Sequence, residues 1–179
     1  MTFEIDGPVG QDLWRRAARV LPGGKIYLSR SAQMAGDGVL PGFIRSAKGC
    51  RIWDVDGREY IDFLCANGPN LLGYRHDEVD AAAQEQAALA DLTSFYPEGI
   101  VDYSEALLRW FDDFDWVVHA KNGSDAVSLA TRVMRKHRRG PLLILFDAAY
   151  HGFAPELAIR HEGVPAGALD DTLRLPWND

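Results

Sequence analysis

Asn122-Gly-Ser-Asp125 is a run whose residue types and spacing suit anion binding. A short apolar stretch, Trp116-Val117-Val118, precedes it and reads as a buried strand. A helical pattern follows, with Ala126, Val127, Ala130, Val133 and Met134 on one face. Asn122 as N-cap places Asp125 at the third helical position, a variant of the capping box. Arg135, Lys136, Arg138 and Arg139 suit the negative end of the helix dipole, and Gly140-Pro141 stops the helix. The first N–H groups of such a helix have no internal acceptor. Together with the Ser124 hydroxyl they make a site for a phosphate or carboxylate. Gly123 lets a phosphate approach the backbone closely. The run is neither G-x-G-x-x-G nor a Walker A loop. The plain alternative is a helix start that binds only water.

A second group of chemically capable residues follows a second apolar run. Leu142–Phe146 reads as a buried strand, and Asp147-Ala-Ala-Tyr-His-Gly152 comes directly after it. Strand, helix and strand with this crossover length imply a parallel pair. Loops at the carboxyl ends of such strands are where open α/β sheets place ligands. The loops 121–125 and 147–152 are therefore expected on one edge of the sheet, bringing Tyr150 and His151 toward Gly123, Ser124 and Asp125. A packed aromatic and a solvated imidazole are the plain alternatives for Tyr150 and His151.

The rest of the chain must position these loops. A helix is expected over Gln11–Leu21, with Leu13, Trp14, Ala17, Ala18 and Leu21 on one face and Pro22-Gly23-Gly24 ending it. Phe43–Ala47, Cys50–Asp54 and Glu59–Phe63 read as three strands of an antiparallel meander, with Asp54-Val-Asp-Gly57 as a turn. Asp77–Ala90 reads as a helix with Asp77 as N-cap, Ser104–Phe111 as another, and Thr172–Pro176 as the start of a further strand. The expected organisation is a helix-and-meander segment over 1–66 and an α/β segment over 67–179.

Whole-chain properties exclude several functions. The 179 residues suffice for one core, and 47% hydrophobic with 25% charged residues is ordinary for a globular protein. A net charge of −7 argues against nucleic acid or an anionic membrane as the main partner. No apolar run approaches a membrane span, and the first residues lack a signal-peptide pattern. Cys50 and Cys65 are too few for a disulfide framework, and the five histidines lack metal-ligand spacing, so no metal and a cytoplasmic location are expected.

A set of short motifs occurs in a particular order: Arg19-Val-Leu-Pro-Gly-Gly24, Trp53-Asp-Val-Asp-Gly57, Tyr60-Ile-Asp62, Gly68-Pro69, Leu72-Gly73, Lys121-Asn-Gly-Ser-Asp-Ala126, Tyr150-His-Gly152 and Pro176-Trp-Asn-Asp179. In order and spacing they resemble the N-terminal part of class III pyridoxal-phosphate aminotransferases, on the branch of the glutamate-1-semialdehyde 2,1-aminomutases. The resemblance implies the start of a fold type I large domain, with a mostly parallel sheet and helices. It also implies a pyridoxal 5'-phosphate cofactor, small-molecule amino donors and acceptors, and a homodimer when complete. By the same resemblance Gly123 and Ser124 hold the cofactor phosphate with Asp125 beside them, Tyr150 stacks on the pyridine ring with His151 next to it, and Arg30 meets a substrate carboxylate. Tyr27 stands where the aminomutase has serine, and Asn67 where it has tryptophan. Both departures favour an aminotransferase of another substrate.

The same resemblance calls for a lysine that forms a Schiff base and an aspartate on the pyridine nitrogen. Lys25, Lys48, Lys121 and Lys136 are the lysines present, and none stands in the family's context for that residue. No catalytic residue is therefore assigned in this chain. The expectation is the N-terminal portion of an enzyme that moves an amino group between a carboxylate-bearing amino compound and the cofactor. The competing expectation is a non-catalytic product or interaction module that keeps only a phosphate-binding loop.

Overall fold

The structure is a computed structural model, and it describes residues 6–22, 40–90, 93–159 and 162–178. The chain divides into two compact units, Met1–Phe95 and Tyr96–Asp179.

In the first unit, helix α1 (Pro8–Val20) begins with Pro at its first position, where the missing N–H costs nothing. Its N-terminus is closed from a distance. The Asp56 carboxylate accepts hydrogen bonds from the N–H groups of Val9 and Gly10, each at 2.9 Å. Asp6 adds a second tie by accepting from Trp14 Nε1 at 2.7 Å and from Gly42 N at 3.0 Å. The expected meander is present as β1 (Ile44–Lys48), β2 (Arg51–Asp54) and β3 (Glu59–Ile61), antiparallel in the order β1-β2-β3. The turn after β2 is organised by Asp54, whose side chain is only 1% exposed. It accepts from the N–H of Asp56 and Arg58 and from the Tyr60 hydroxyl. Such a buried carboxylate is tolerated because its lone pairs are filled.

Beyond β3, Cys65, Ala66 and Asn67 all adopt positive φ, and Gly68 follows at 112°. Helix α2 (Asp77–Leu89) is capped one residue earlier than expected. His76, not Asp77, holds the cap position. Asp77 instead pairs with Lys48, whose ammonium also donates to the Arg75 carbonyl.

In the second unit, helix α3 (Gly99–Leu108) starts five residues before the expected Ser104. Helix α4 (Gly123–Arg138) begins and ends where the sequence places it. The β4 strand (Leu143–Phe146) and β5 (Thr172–Leu175) form a two-stranded parallel sheet, with Leu143 opposite Thr172 and Phe146 opposite Leu175.

This pairing corrects one expectation. Trp116–Ala120 is not a strand, and no described strand pairs with it. Trp116 is 67% exposed. A strand exists through its neighbours, and β4 finds its parallel partner in β5 instead. Burial differs from expectation for the same reason. Among the described residues the buried apolar side chains are Ala17, Leu145 and Leu157. The apolar face expected on α4 stays exposed at Val127, Val133 and Met134, since no described sheet covers it.

Candidate functional site

The site is built at the start of α4. Asn122 is in extended conformation, and its side-chain oxygen accepts from the Asp125 N–H at 3.0 Å. Its amide nitrogen donates to the Asp125 carboxylate at 2.8 Å. This closes the reciprocal cap expected from sequence. It also gives Asp125 a definite partner, which turns the carboxylate toward Asn122. With Asp125 N and Ala126 N taken by Asn122, the N–H groups of Gly123 and Ser124 have no acceptor among the described residues.

Gly123 is informative because nothing among the described residues requires it. A Cβ built there meets no atom within 4 Å, and its φ lies outside the left-handed region. Neither strain nor crowding from described residues explains the glycine. The space before the helix start is open, which fits a phosphate lying against the backbone.

The loop after β4 arrives at this helix start. Ala148 has φ 61°, turning the chain away from the sheet, and the Ala149 N–H reaches back to the Phe146 carbonyl at 3.3 Å. Phe146 N–H donates to His151 Nε2 at 3.4 Å, so the imidazole lies back toward the last residue of β4. Gly152 is buried at φ 131°, and the Phe153 N–H donates to Ser124 Oγ at 3.1 Å. Tyr150 is 70% exposed and Phe153 is 82% exposed. Arg135 of α4 anchors the far side of the loop through Glu156 at 3.7 Å, while its Nε donates to the Pro141 carbonyl at 2.8 Å.

The structure brings the loop after β4 to this helix start through Gly152 and Phe153, which lie against Ser124; Tyr150 and His151 stand just before them in the same loop. Arg30 and Tyr27 lie outside the described residues. The shallow hollow along α4, lined by Leu129, Arg132, Val133, Lys136 and His137, includes none of these residues. The sequence motifs include Gly152 without a role for it and do not include Phe153. The glycine after the Tyr-His pair was the available signal for the first; the Phe153 contribution is a backbone N–H, which no residue type reveals.

The class III aminotransferase model matches residues 32–157, most of the chain and all of the site. The chain belongs to the class III aminotransferases. It is 42% identical over 174 residues to an aminopentol aminotransferase of Sphingopyxis macrogoltabida, covering 97% of this chain and 41% of that protein. It is 35% identical to a glutamate-1-semialdehyde 2,1-aminomutase of Sorangium cellulosum, covering 96% and 42%. Among solved structures it superposes on the pyridoxal-phosphate-bound FumI protein of Sphingopyxis sp. MTA144 with a TM-score of 0.89 and 38% identity, covering 97% of this chain and 41% of that one. The chain thus spans about two-fifths of the length of the relatives it matches. The fold is that of the PLP-dependent transaminases, seen here as a part of the domain.

Proposed function

We propose that this chain forms the phosphate-binding part of a PLP-dependent aminotransferase, moving an amino group between a carboxylate-bearing amino compound and the cofactor. The observation that carries the reading is the pairing of an open helix start at Gly123 with a Ser124 hydroxyl held by the loop that bears Tyr150. The N–H groups of Gly123 and Ser124 and the Ser124 hydroxyl would hold the phosphate. Asp125 serves through the cap it forms with Asn122, which fixes the first turn. Tyr150 offers an exposed ring to lie along the pyridine and exclude water from one face. His151 braces that loop against the end of β4. When bound, pyridoxal phosphate supplies an aldehyde that takes up an amino group and a ring that accepts electron density released at the substrate carbon. Arg30 is proposed to meet a substrate carboxylate.

The complete protein is proposed to be a cytoplasmic homodimer whose large domain begins within the segment 67–179. Among the described residues no helix is long and apolar enough to cross a membrane. The substrate is proposed to differ from glutamate-1-semialdehyde. Tyr27 and Asn67 depart from the aminomutase pattern, and identity is higher to the relative named for aminopentol than to the one named for glutamate-1-semialdehyde.

Ser124→Ala in the complete enzyme tests the phosphate assignment. It is expected to weaken retention of pyridoxal phosphate by roughly 1–3 kcal/mol, the effect of losing a hydrogen bond to a charged group. Cofactor absorbance after dialysis measures this, and equal occupancy in both proteins would sink the assignment.

A further inference from the structure

We infer that Gly152 and the backbone N–H of Phe153 are positioning groups for the phosphate cradle: they hold Ser124 with its hydroxyl hydrogen presented as a donor to the cofactor phosphate. The inference rests on the pyridoxal-phosphate reading above and adds to it two residues from the loop after β4.

A serine hydroxyl carries one hydrogen and two lone pairs and rotates freely, so by itself it has no fixed direction. At a helix start it can also turn back toward nearby backbone. Here the Phe153 N–H approaches Ser124 Oγ at 3.1 Å. One lone pair is thereby engaged, and the positive hydrogen of the N–H drives the hydroxyl hydrogen to the other side of the oxygen. Among the described residues no acceptor takes that hydrogen. It remains available beside the free N–H groups of Gly123 and Ser124. An oxygen that accepts one hydrogen bond also becomes a better donor in the next.

Gly152 makes this approach possible. Its φ of 131° is one that L side chains rarely adopt. A Cβ there would lie 3.3 Å from Leu157 Cδ1 and 3.4 Å from both the Ser124 Cα and Oγ. The contacts with Ser124 are ordinary, while the fully buried Leu157 would have to give slightly, so the positive φ is the larger obstacle to a side chain here. A side chain at 152 strains this backbone, and a loop that relaxes to a negative φ would carry the Phe153 N–H away from the hydroxyl. The contrast with Gly123 is direct, since a Cβ there meets nothing.

The test compares pyridoxamine 5'-phosphate with pyridoxamine in fluorescence titrations of the complete enzyme that contains this chain. Neither ligand has an aldehyde, so surface lysines do not react with them. The ratio of the two dissociation constants isolates the phosphate. Gly152→Ala and Phe153→Pro are each expected to lower that ratio about fivefold, in the range of one lost hydrogen bond. Replacing the Phe153 amide by an ester through semisynthesis exchanges the N–H for an oxygen and keeps every side chain; the same drop is expected. In a Ser124→Ala background none of these changes should lower the ratio further. If Ser124→Ala abolishes the phosphate preference while the ester and Gly152→Ala chains keep the wild-type ratio, the inference is overturned and the phosphate site stands. Equal loss of both ligands in the ester chain also overturns it. A wild-type chain with no preference for the phosphorylated ligand overturns the site itself, and the inference with it.

Discussion

Single residues in this chain divide into those whose chemistry is explained by the protein's own contacts and those that look outward. Asn122 and Asp125 satisfy each other. Gly123, the Ser124 hydroxyl hydrogen and the Tyr150 ring do not meet such partners among the described residues, and they are the groups proposed to meet the cofactor. Arg30 is assigned through resemblance and lies outside the described residues. Its test is kinetic. In the active enzyme, Arg30→Ala is expected to raise KM for amino donors that bear a carboxylate and largely to spare amines that lack one, because a guanidinium fork gains most from a planar anion. A similar loss with both kinds of donor would count against a carboxylate contact.

Elements here are joined by carboxylates more than by apolar burial. Asp56 closes α1 from the turn after β2, and Asp62 joins the end of β3 to the turn before α2. The Asp62 carboxylate accepts from the Leu64 N–H at 2.7 Å and from the Tyr74 hydroxyl at 2.5 Å. The Tyr74 hydrogen bond, with help from backbone N–H groups and against some burial, holds the Asp62 pKa below its usual value. The same bond, reinforced by burial, raises the pKa of Tyr74. The signs define a window. A depressed carboxylate contributes stability above its unfolded pKa, near 4, and loses it as pH falls through the folded value. A raised tyrosine contributes below its unfolded pKa, near 10, and loses it as pH rises through the folded value. The tie is therefore expected to be intact between about pH 4 and 10 and to loosen at both ends. Hydrogen exchange at Leu64 and Tyr74 across pH should show protection in that window. Tyr74→Phe should flatten the profile; an unchanged profile would show that the pair does not hold these elements together.

At the scale of the molecule, the outstanding feature is how little apolar surface the described residues bury. Phe63, Leu71, Trp110, Phe114, Trp116 and Trp177 are all exposed, as are Ile144 of β4 and Val133 and Met134 of α4. A two-stranded parallel sheet with one face exposed, at Ile144, Phe146, Leu173 and Leu175, is far from the usual setting of parallel strands, which have helices on both sides. Contiguous exposed apolar surface drives association. The 179-residue chain by itself is expected to self-associate and to melt without a sharp transition. Light scattering over a concentration series and a thermal melt measure this. A monodisperse monomer with a cooperative melt would refute it. None of the four lysines stands in the family's Schiff-base context, so a stable imine with pyridoxal phosphate abolished by Lys121→Ala would overturn that part of the sequence reading.

Local chemistry was legible in the sequence wherever it depends on residues close along the chain. The Asn122–Asp125 cap, the limits of α4, the three-stranded meander and the end of α1 follow from spacing, turn residues and helix signals, because their hydrogen bonds close within a few residues. The order of motifs likewise identified the family whose model matches residues 32–157. What depends on distant partners was decided only by the tertiary structure. Trp116–Ala120 has the apolar pattern of a strand, yet a strand requires a neighbour, and β4 pairs with β5 instead. Asp77 has the type of an N-cap, but Lys48 competes for its carboxylate and His76 takes the cap position. The orientation of Ser124 depends on a backbone N–H 29 residues away, and a backbone group carries no residue-type signature. Sequence specified which groups are present at the helix start; the fold of the loop after β4 determined the direction in which the serine hydroxyl is held.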